Sequence, residues 1–551
     1  MEIILYLSII LIILIIEIID FIMQIVKKRK GLALFHEQWG KWEHETLLLE
    51  DVKYIRRRSE KKLLPEESEI DAITWNDLDM DALYQQMNYC ATSSGDVELY
   101  RFLRYPFVEI KALNKRKKIM NMLKNNDVAR NEIQEILARI SRRSEIEWEN
   151  AWSNSIDVNP AINNILACGL FVSLIASIFI PVFIPFVVII GVVNCIRASS
   201  IEKKVGPKSQ TLLYMIHYVE ALHTLNRSHM DQEVKDLFNI EQISNELSHI
   251  HNSLLENFIN GGGLIMLVVS QCFLGEAISY ARLEKSMNDK KETIMKCVEI
   301  LGKIDAAYAV VSFQQAHPTY CEALITNEVE VQAHGMIHPM LMHPVANDVM
   351  LTNNLLISGS NASGKSTFLK MIALNAIFAQ SFGFAFAADY KACFFNICTS
   401  MSLRDSIDDG DSYFISEIKA IKRILETSNK DVPKLCMIDE ILRGTNTNER
   451  IAAASEILNC LCDKNTITLG ATHDIELTHI LSNKFTNVHF NETIKDNTML
   501  FDYKLKQGPS DSRNAIALLK ILGYDQEIIE NADLRLSAFE KTGIWKKAVK
   551  A

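Results

Sequence analysis

Hydrophobic residues along this chain fall into three patterns, and each pattern predicts a different kind of element. Long, almost wholly apolar runs occupy residues 3–26 and 165–196. Apolar residues at spacings of three and four recur through much of residues 76–320, as amphipathic helices require. Short apolar runs that close on polar residues occur after residue 350, as buried strands do. The chain is therefore predicted to combine long apolar helices, a helical middle and a C-terminal α/β domain.

The first apolar run predicts an N-terminal transmembrane anchor over residues 1–30. A helix over residues 3–26 would extend about 36 Å, which is enough to cross a bilayer with some tilt. The basic residues 27–30 follow it, and the positive-inside rule then places the rest of the chain in the cytoplasm. Glu17 and Asp20 share one helix face. We expect them near the cytoplasmic interface, although a paired role within the membrane is the alternative.

The second apolar run predicts a transmembrane helical hairpin over residues 161–200. It contains no charged residue, and Pro181 and Pro185 lie near its middle. It is long for one crossing and short for two. The pattern G-x-x-x-x-G-K-[ST] at residues 359–366 predicts ATP binding downstream, and ATP is abundant in the cytoplasm. An even number of crossings is then required, and a hairpin that turns at the prolines meets this condition. A hydrophobic hairpin buried in a soluble protein is the alternative.

The remaining regions before residue 321 are predicted from their amphipathic and basic patterns. Residues 31–75 form a basic juxtamembrane segment that includes the run 56–58. Residues 76–160 and 201–320 are predicted to be the first and second parts of a helical core and lever. The apolar run 264–274 is too short to span a bilayer, so we expect a core helix there.

A glycine-rich stretch after the predicted strand 355–357 has the form of a P-loop, G-x-x-x-x-G-K-[ST]. Successive backbone N–H groups and the N-terminus of the following helix would surround phosphate oxygens. Lys365 would reach the β- and γ-phosphates, and the Ser366 hydroxyl would bind Mg²⁺. The predicted ATP-binding residues are Gly359, Ser360, Asn361, Ala362, Ser363, Gly364, Lys365, Ser366 and Thr367.

Two further predicted strands end at residues suited to phosphate chemistry. The run 434–438 closes on Asp439 and Glu440. Asp439 would hold Mg²⁺ through water, and Glu440 would orient and deprotonate the attacking water. The β-branched run 466–472 closes on His473, which could contact the γ-phosphate or the attacking water. Glu440 and His473 are therefore the predicted catalytic residues, with Ser366 and Asp439 as the predicted metal ligands.

Composition narrows the setting of this chemistry. The chain has 551 residues, of which 48% are hydrophobic, with a formal net charge of −10. Such a charge gives no general attraction to nucleic acid, so any DNA contact requires local basic patches. The 11 cysteines include no CxxC pair, which is typical of buried thiols in a reducing compartment rather than of a disulfide framework or zinc site.

The stretch 354–477 resembles the ATPase domain of the MutS family of mismatch-repair proteins, a branch of the ABC-type ATPases. The similarity rests on the P-loop region 357–367, the acidic pair with its following loop 439–447, and the segment 471–473, which resembles the family's histidine switch. Residues 335–341 and 346–348, ahead of the P-loop, resemble the strands with which that domain begins, which we call its entry region. Weaker similarity covers the stretch that begins at Ser93 and the helical stretch 301–315.

This resemblance implies an architecture and a working assembly. The implied fold is an α/β ABC-type P-loop ATPase domain at residues 321–551, preceded by an all-α core and lever region. The apolar runs add the predicted transmembrane helices to this architecture. The implied cofactors are ATP and Mg²⁺, and the implied assembly is a homodimer in which Ser412 meets the γ-phosphate bound by the partner. Residues 512–536 resemble the helical segment that supports dimerisation, although residues 513–516 depart from the family's usual aromatic and glycine there.

Family members that read mismatches use a Phe-x-Glu wedge in an amino-terminal domain, and the triplets at residues 35–37 and 107–109 are the candidates for it here. Neither lies in a separate mismatch-reading domain. We therefore expect no mismatch specificity. The family resemblance implies binding to double-stranded DNA. The apolar runs predict a multi-pass protein of the cell membrane that contacts the lipid bilayer and has a cytoplasmic ATPase domain. One half of an ABC-type transporter is an alternative. A membrane scaffold or defence switch that binds no nucleic acid is another.

Overall fold

The computed structural model describes residues 23, 39–42, 49–143, 152, 158–250, 263–317, 319–360, 363–401, 413–426, 431–443, 445–462, 465–495, 498–510 and 515–545. The predicted anchor at residues 1–30, including Glu17 and Asp20, lies outside them apart from residue 23. Contacts divide the chain into two units: unit 1 is Met1–Glu60, Gln85–Arg101 and Lys115–His317, and unit 2 is Lys61–Tyr84, Phe102–Asn114 and Pro318–Ala551. Residues 61–84 and 102–114 thus group with the C-terminal region, which the sequence pattern did not indicate.

The chain before residue 318 is helical wherever the structure describes regular elements. In order, the helices are α1 (Leu49–Ser59), α2 (Ala72–Asp77), α3 (Met80–Met87), α4 (Ser93–Arg104), α5 (Ile110–Asn125), α6 (Asp127–Ile140), α7 (Pro160–Phe179), α8 (Ile184–Asn226), α9 (Gln232–Leu237), α10 (Ile240–Glu246), α11 (Gly263–Cys272), α12 (Gly275–Asp289) and α13 (Lys291–Gln315).

A buried carboxylate organises the core of unit 1. Asp305, on α13, accepts hydrogen bonds from the backbone N–H of Thr92 at 2.8 Å and from its hydroxyl at 2.6 Å, just before α4 begins. A negative group at a helix N-terminus satisfies amide donors that have no partner within the helix. The approach requires glycine at position 95, because a Cβ there would lie 2.1 Å from the Asp305 carboxylate.

Helices α7 and α8 form an apolar hairpin. A 3₁₀ turn at Pro181–Phe183 separates them, so the turn predicted at the prolines is present. Two segments, Pro160–Phe179 and Pro181–Gly206, are long and apolar enough to cross a membrane by length and composition. Only 17% and 6% of their most apolar windows are buried, which does not fit the alternative of a hairpin enclosed in protein.

Helix α8 continues far beyond the apolar hairpin. It contains 43 residues and therefore extends about 65 Å. Its C-terminal half is buried in unit 1, where Tyr214 and Tyr218 are fully covered. The expected boundary at residue 200 is thus not a break in structure, because one helix carries the chain from the hairpin into the helical core.

Helix α11 differs from the core helix expected at residues 264–274. Val268 and Val269 are 52% and 40% exposed, so the prediction is wrong for this face. The helix lies beside the hairpin, where the Asn194 side chain donates to the carbonyl of Cys272 at 2.7 Å. An apolar helix with this exposure extends the apolar surface of the hairpin.

Unit 2 is built on two sheets with flanking helices. Its strands are β1 (Cys321–Ile325), β2 (Val331–Met336), β3 (Asn347–Leu351), β4 (Asn354–Ser358), β5 (Phe384–Ala385), β6 (Asp389–Ala392), β7 (Asn396–Ser400), β8 (Lys434–Asp439), β9 (Thr466–Thr472), β10 (Phe485–Lys495) and β11 (Thr498–Gln507). Its later helices are α14 (Lys365–Phe382), α15 (Tyr413–Glu426), α16 (Thr447–Cys460), α17 (Ile475–Ile480), α18 (Ala515–Ile521) and α19 (Gln526–Thr542). This mixed α/β architecture is the one expected for residues 321–551.

The larger sheet has the strand order β11-β10-β4-β9-β8-β7. All its pairings are parallel except β10 with β11. Strands β4, β8 and β9 are buried on both faces, as expected for central strands of a parallel sheet. Since the carboxyl ends of parallel strands meet at one edge, β4, β8 and β9 bring their following residues together there.

The smaller sheet has the order β3-β2-β6-β1-β5. Strand β2 contains the first two residues of the entry region's first stretch, 335–341, and β3 begins within its second stretch, 346–348. The two strands pair antiparallel. An early segment is held to the larger sheet within the same unit, where Asp77 accepts from the Thr399 hydroxyl at 2.7 Å and from the Met401 N–H at 2.9 Å. These bonds account for the grouping of residues 61–84 with unit 2.

Candidate nucleotide-binding site

The P-loop connects β4 to α14 and needs glycine at both ends. Gly359 has φ of +143° and Gly364 has φ of +105°, a region that L-residues with a Cβ rarely adopt. Space is also short, because a Cβ on Gly359 would lie 2.9 Å from the carbonyl oxygen of Phe490, and one on Gly364 would lie 3.1 Å from the Tyr503 ring. The loop therefore approaches its neighbours too closely for any larger residue.

The lysine at the start of α14 is folded against this loop. Lys365 is only 4% exposed, and its ammonium donates to the carbonyls of Gly359 and Ser360 at 2.8 and 2.9 Å. Desolvation lowers the pKa of Lys365, and the negative charges of Asp439 and Glu440 oppose that shift. Lys365 is therefore a buried cation held against the loop that is predicted to bind phosphate.

Ser366 and Asp439 form the pair expected to hold Mg²⁺. The Ser366 hydroxyl donates to the Asp439 carboxylate at the end of β8. The second carboxylate oxygen, Oδ1, is buried and has no hydrogen-bond partner, and desolvation raises the pKa of Asp439 despite the Ser366 hydrogen bond. A buried carboxylate oxygen without a partner costs free energy that a cation would recover. The donor set fits Mg²⁺, which prefers hydroxyl, carboxylate, phosphate and water oxygens.

Protein ligands for the ion are few. Within the part of the chain that the structure describes, no group of three or more His, Cys, Asp or Glu side chains is arranged to hold a metal. Mg²⁺ characteristically takes one or two protein ligands together with waters and substrate phosphates. Two ligands from this chain are consistent with that habit.

Glu440 lies between two cationic groups. Its carboxylate pairs with the His473 ring and with the Arg443 guanidinium, the latter at 2.6 Å. Burial acts to raise the pKa of Glu440, but the hydrogen bond and charge of His473 and the charge of Arg443 outweigh it and hold the pKa below its ordinary value. The group is therefore an ionised carboxylate at neutral pH, as a base toward water must be.

The loop that carries Glu440 is strained. Glu440 has φ of +54° and Leu442 has φ of +60°, both left-handed conformations that cost free energy for residues other than glycine. The Glu417 side chain, on α15, accepts a hydrogen bond from the Leu442 N–H at 2.5 Å. Glu417 follows Ser412 by five residues in the sequence, but its contact with the loop that carries Glu440 is a tertiary feature.

A second contact fixes the histidine side of the site. Arg450, on α16, binds Asp474 through two hydrogen bonds of 2.9 and 2.6 Å. Such fork-like pairs restrict geometry as well as adding energy. Asp474 directly follows His473, which lies 3.4 Å from the Lys365 ammonium. The sequence did not single out Arg450, because only the fold brings α16 to the end of β9.

A cavity of about 600 Å³ opens beside these residues, a size typical of small-molecule sites. Ser360, Ser363, Lys365, Ser366, Thr367, Asp439 and Glu440 line its polar side. His338, Phe490 and Tyr503 line it as well. Burial lowers the pKa of His338 to about 4, so the ring is neutral at pH 7. Flat, uncharged and aromatic groups beside a phosphate cradle are suited to a nucleotide base.

The structure thus brings together most of the predicted site. Lys365, Ser366, Asp439, Glu440 and His473 meet at one edge of the larger sheet. Asn361, Ala362 and Ser412 lie outside the described residues. Of the two Phe-x-Glu triplets, residues 35–37 also lie outside them, and Phe107 is bound through its backbone to Glu67 and Gln380 in unit 2.

Comparison with known proteins assigns this domain. Residues 355–540 match the family described as MutS domain V. Over this region the chain belongs to the MutS family. The mixed sheets and helices described above fit a MutS domain V fold.

Individual MutS relatives match part of the chain. "DNA mismatch repair protein MutS" of Thermotoga maritima is 31% identical over 255 residues, which is 44% of this chain and 31% of the relative. A Thermus thermophilus protein of that name is 26% identical over 264 residues, 47% of this chain and 32% of the relative. Human "MutS protein homolog 4" is 38% identical over 195 residues, 32% of this chain and 20% of the relative. The match therefore spans about a third or less of these relatives' length.

Proposed function

We propose that this chain is a membrane-anchored, MutS-like ATPase that binds and hydrolyses ATP with Mg²⁺ in a homodimer and couples this cycle to DNA binding. The observation that carries the proposal is the convergence of Lys365, Ser366, Asp439 and Glu440 on one cavity, with His473 paired to Glu440 beside it. Membership of the MutS family over residues 355–540 supports the same activity.

In this proposal each of these side chains has a role in hydrolysis. The P-loop amides and Lys365 bind and orient the phosphates. Ser366 and Asp439 would hold Mg²⁺, which would neutralise phosphate charge when bound. Glu440 accepts the proton of the attacking water, and His473, which pairs with that carboxylate, holds it in place. Glu417 and Arg450 are positioning residues, since they act through the loop and through Asp474.

A homodimer is supported by the exposed apolar surface of the closing helices. Leu522, directly after α18, is 70% exposed, and Ile528 and Leu534, on α19, are 48% and 69% exposed. A cluster of large exposed apolar side chains on a short helical pair is typical of a protein–protein contact. In that dimer Ser412 of one copy would complete the site of the other.

The membrane part of the proposal rests on the α7–α8 hairpin. Its side chains Ile178, Phe179 and Val182 are 72%, 79% and 72% exposed, which is unfavourable in water and favourable in lipid. With the predicted anchor at residues 1–30, the chain would be a multi-pass protein of the cell membrane with unit 2 in the cytoplasm.

DNA binding is the part of the proposal drawn from the relatives, two of which are named as mismatch-repair proteins. Mismatch specificity is not part of it, because Phe107 is held in unit 2 rather than presented as a wedge. A membrane scaffold without a nucleic-acid ligand is favoured instead if the net charge of −10 prevents DNA contact.

One experiment tests both halves of the function. ATP turnover and binding to a double-stranded oligonucleotide would be measured on the full chain in nanodiscs, with and without ATP, across a salt series. We expect ATP turnover and DNA binding that depends on nucleotide and weakens as salt rises. Absence of turnover would contradict the ATPase assignment. Turnover without DNA binding at low salt would support the scaffold instead.

A further inference from the structure

A groove of about 500 Å³ lies at the base of the apolar hairpin, between α7 and α8. One part of its wall is apolar and includes Leu166, Val193 and Ile196. The other part is polar and includes Arg197, Ser200 and Lys204. The change from apolar to basic occurs along a single helix, α8, at the point where the exposed apolar segment ends.

The polar residues form one stripe of α8. Arg197, Ser200 and Lys204 follow at spacings of three and four, which places them on the same helix face. Lys203, the adjacent lysine, is exposed but does not line the groove. The groove therefore selects two of the three cationic residues in this part of the helix.

The Arg197 guanidinium is oriented by a buried side chain. Its Nε donates to the side-chain amide oxygen, Oδ1, of Asn163 at 2.7 Å. Asn163 lies on α7 and is fully buried. Neither Arg197 nor Lys204 forms an ion pair with a carboxylate among the described residues. Two positive charges are thus presented at the mouth of an apolar groove without a compensating negative charge from the described chain.

We propose that this groove binds one anionic phospholipid, with its phosphate at Arg197, Ser200 and Lys204 and an acyl chain along Leu166, Val193 and Ile196. The inference rests on the membrane association proposed above. A lipid suits the site better than a free anion does, because half of the wall is apolar and would contribute nothing to a soluble phosphate. The basic stripe also lies where headgroups would be found if the hairpin spans the bilayer.

The test measures which lipid remains bound to the full chain. The protein would be assembled in nanodiscs containing equal amounts of phosphatidylglycerol and phosphatidylcholine, released, and weighed by native mass spectrometry. We expect retained phosphatidylglycerol to exceed phosphatidylcholine. Each of Arg197→Gln and Lys204→Gln should lower phosphatidylglycerol retention about fivefold, and the double variant roughly twenty-five-fold, since one cationic side chain near an anionic lipid contributes about that factor.

The matched control is Lys203→Gln, which removes the same charge one residue away and should leave retention unchanged. An equal loss in this control would overturn the site, as would equal retention of the two lipids. Displacement of the lipid by inorganic phosphate or by a double-stranded oligonucleotide would also overturn it, since a soluble anion would then be the ligand.

Flotation with vesicles of the same composition separates the two proposals. A chain that floats but shows no preference for phosphatidylglycerol contradicts the groove alone and leaves membrane association standing. A chain that does not float contradicts both. ATP turnover should be the same in all these variants, because none of the three residues lines the nucleotide cavity of unit 2.

Discussion

The nucleotide site of unit 2 and the apolar hairpin of unit 1 place their residues in opposite ways. At the nucleotide site, Lys365 and Asp439 are charged and yet only 4% and 7% exposed. In the hairpin, Phe179 and Val182 are apolar and yet 79% and 72% exposed. Each region reverses the usual rule that charges face water and apolar side chains face the core.

This difference teaches what each region requires from outside the chain. Buried charges are stable only when paired or when a ligand completes them, and the oxygen of Asp439 without a partner points to a cation. Exposed apolar surface is stable only when something apolar covers it, and the hairpin is too large and too uniform to be an incidental patch. The proposed function supplies a different outside component for each region: a nucleotide with its metal for the buried charges, and lipid for the exposed apolar helices.

The strongest test of the buried-charge side is Lys365→Ala. Removing the ammonium leaves the P-loop carbonyls and the phosphates without their cation, so we expect loss of measurable ATP binding and turnover by calorimetry and phosphate release. Lys391→Ala, which removes a lysine paired with Glu330 on the smaller sheet, is the control and should bind ATP normally. Normal turnover by Lys365→Ala would refute the P-loop assignment.

The next largest effect is expected from Glu440→Gln. The amide cannot accept the proton of water, so turnover should fall about 10²- to 10⁴-fold, while ATP affinity changes little. Light scattering should then show a dimer that persists at saturating ATP. A variant that stays monomeric with ATP bound would count against composite sites formed between two copies.

The apolar side is tested with two native cysteines. Cys168, on the hairpin helix α7, and Cys460, at the end of α16, are both exposed. In vesicles, a charged maleimide should label Cys460 and label Cys168 at least roughly tenfold less, because a charged reagent is excluded from the apolar interior of a bilayer. Peptide mass spectrometry reads both sites in one sample. Equal labelling would show that the hairpin is not in lipid.

The smallest effect is expected from Glu417→Ala. Loss of the carboxylate leaves the Leu442 N–H without its acceptor and lets the strained loop relax, so kcat should fall several-fold while the KM for ATP stays constant. Glu417→Gln, which keeps an acceptor oxygen, should recover most of the rate. A change in KM with kcat preserved would mean that Glu417 affects binding rather than the position of Glu440.

Much of the nucleotide site could be predicted from local patterns. The glycines at 359 and 364, the strand ending at Asp439 and the strand ending at His473 are each local features, because strand burial and turn conformation depend on neighbouring residues. Parallel strands then leave little freedom in where their ends meet. The hairpin turn at Pro181 was predictable for the same reason, since proline cannot continue a helix.

Other features depended on residues far apart in sequence. The left-handed conformations of Glu440 and Leu442 persist because Glu417 holds the loop from another helix, and Arg450 reaches Asp474 only once α16 has packed beside β9. The face of α11 was mispredicted because apolar composition does not distinguish a buried face from an exposed one. Composition and periodicity thus determined which elements form and what chemistry they carry. Only the tertiary structure decided which strained backbone is held, which helix face stays exposed and which basic side chains line the groove beside the hairpin, since each depends on contacts between distant segments.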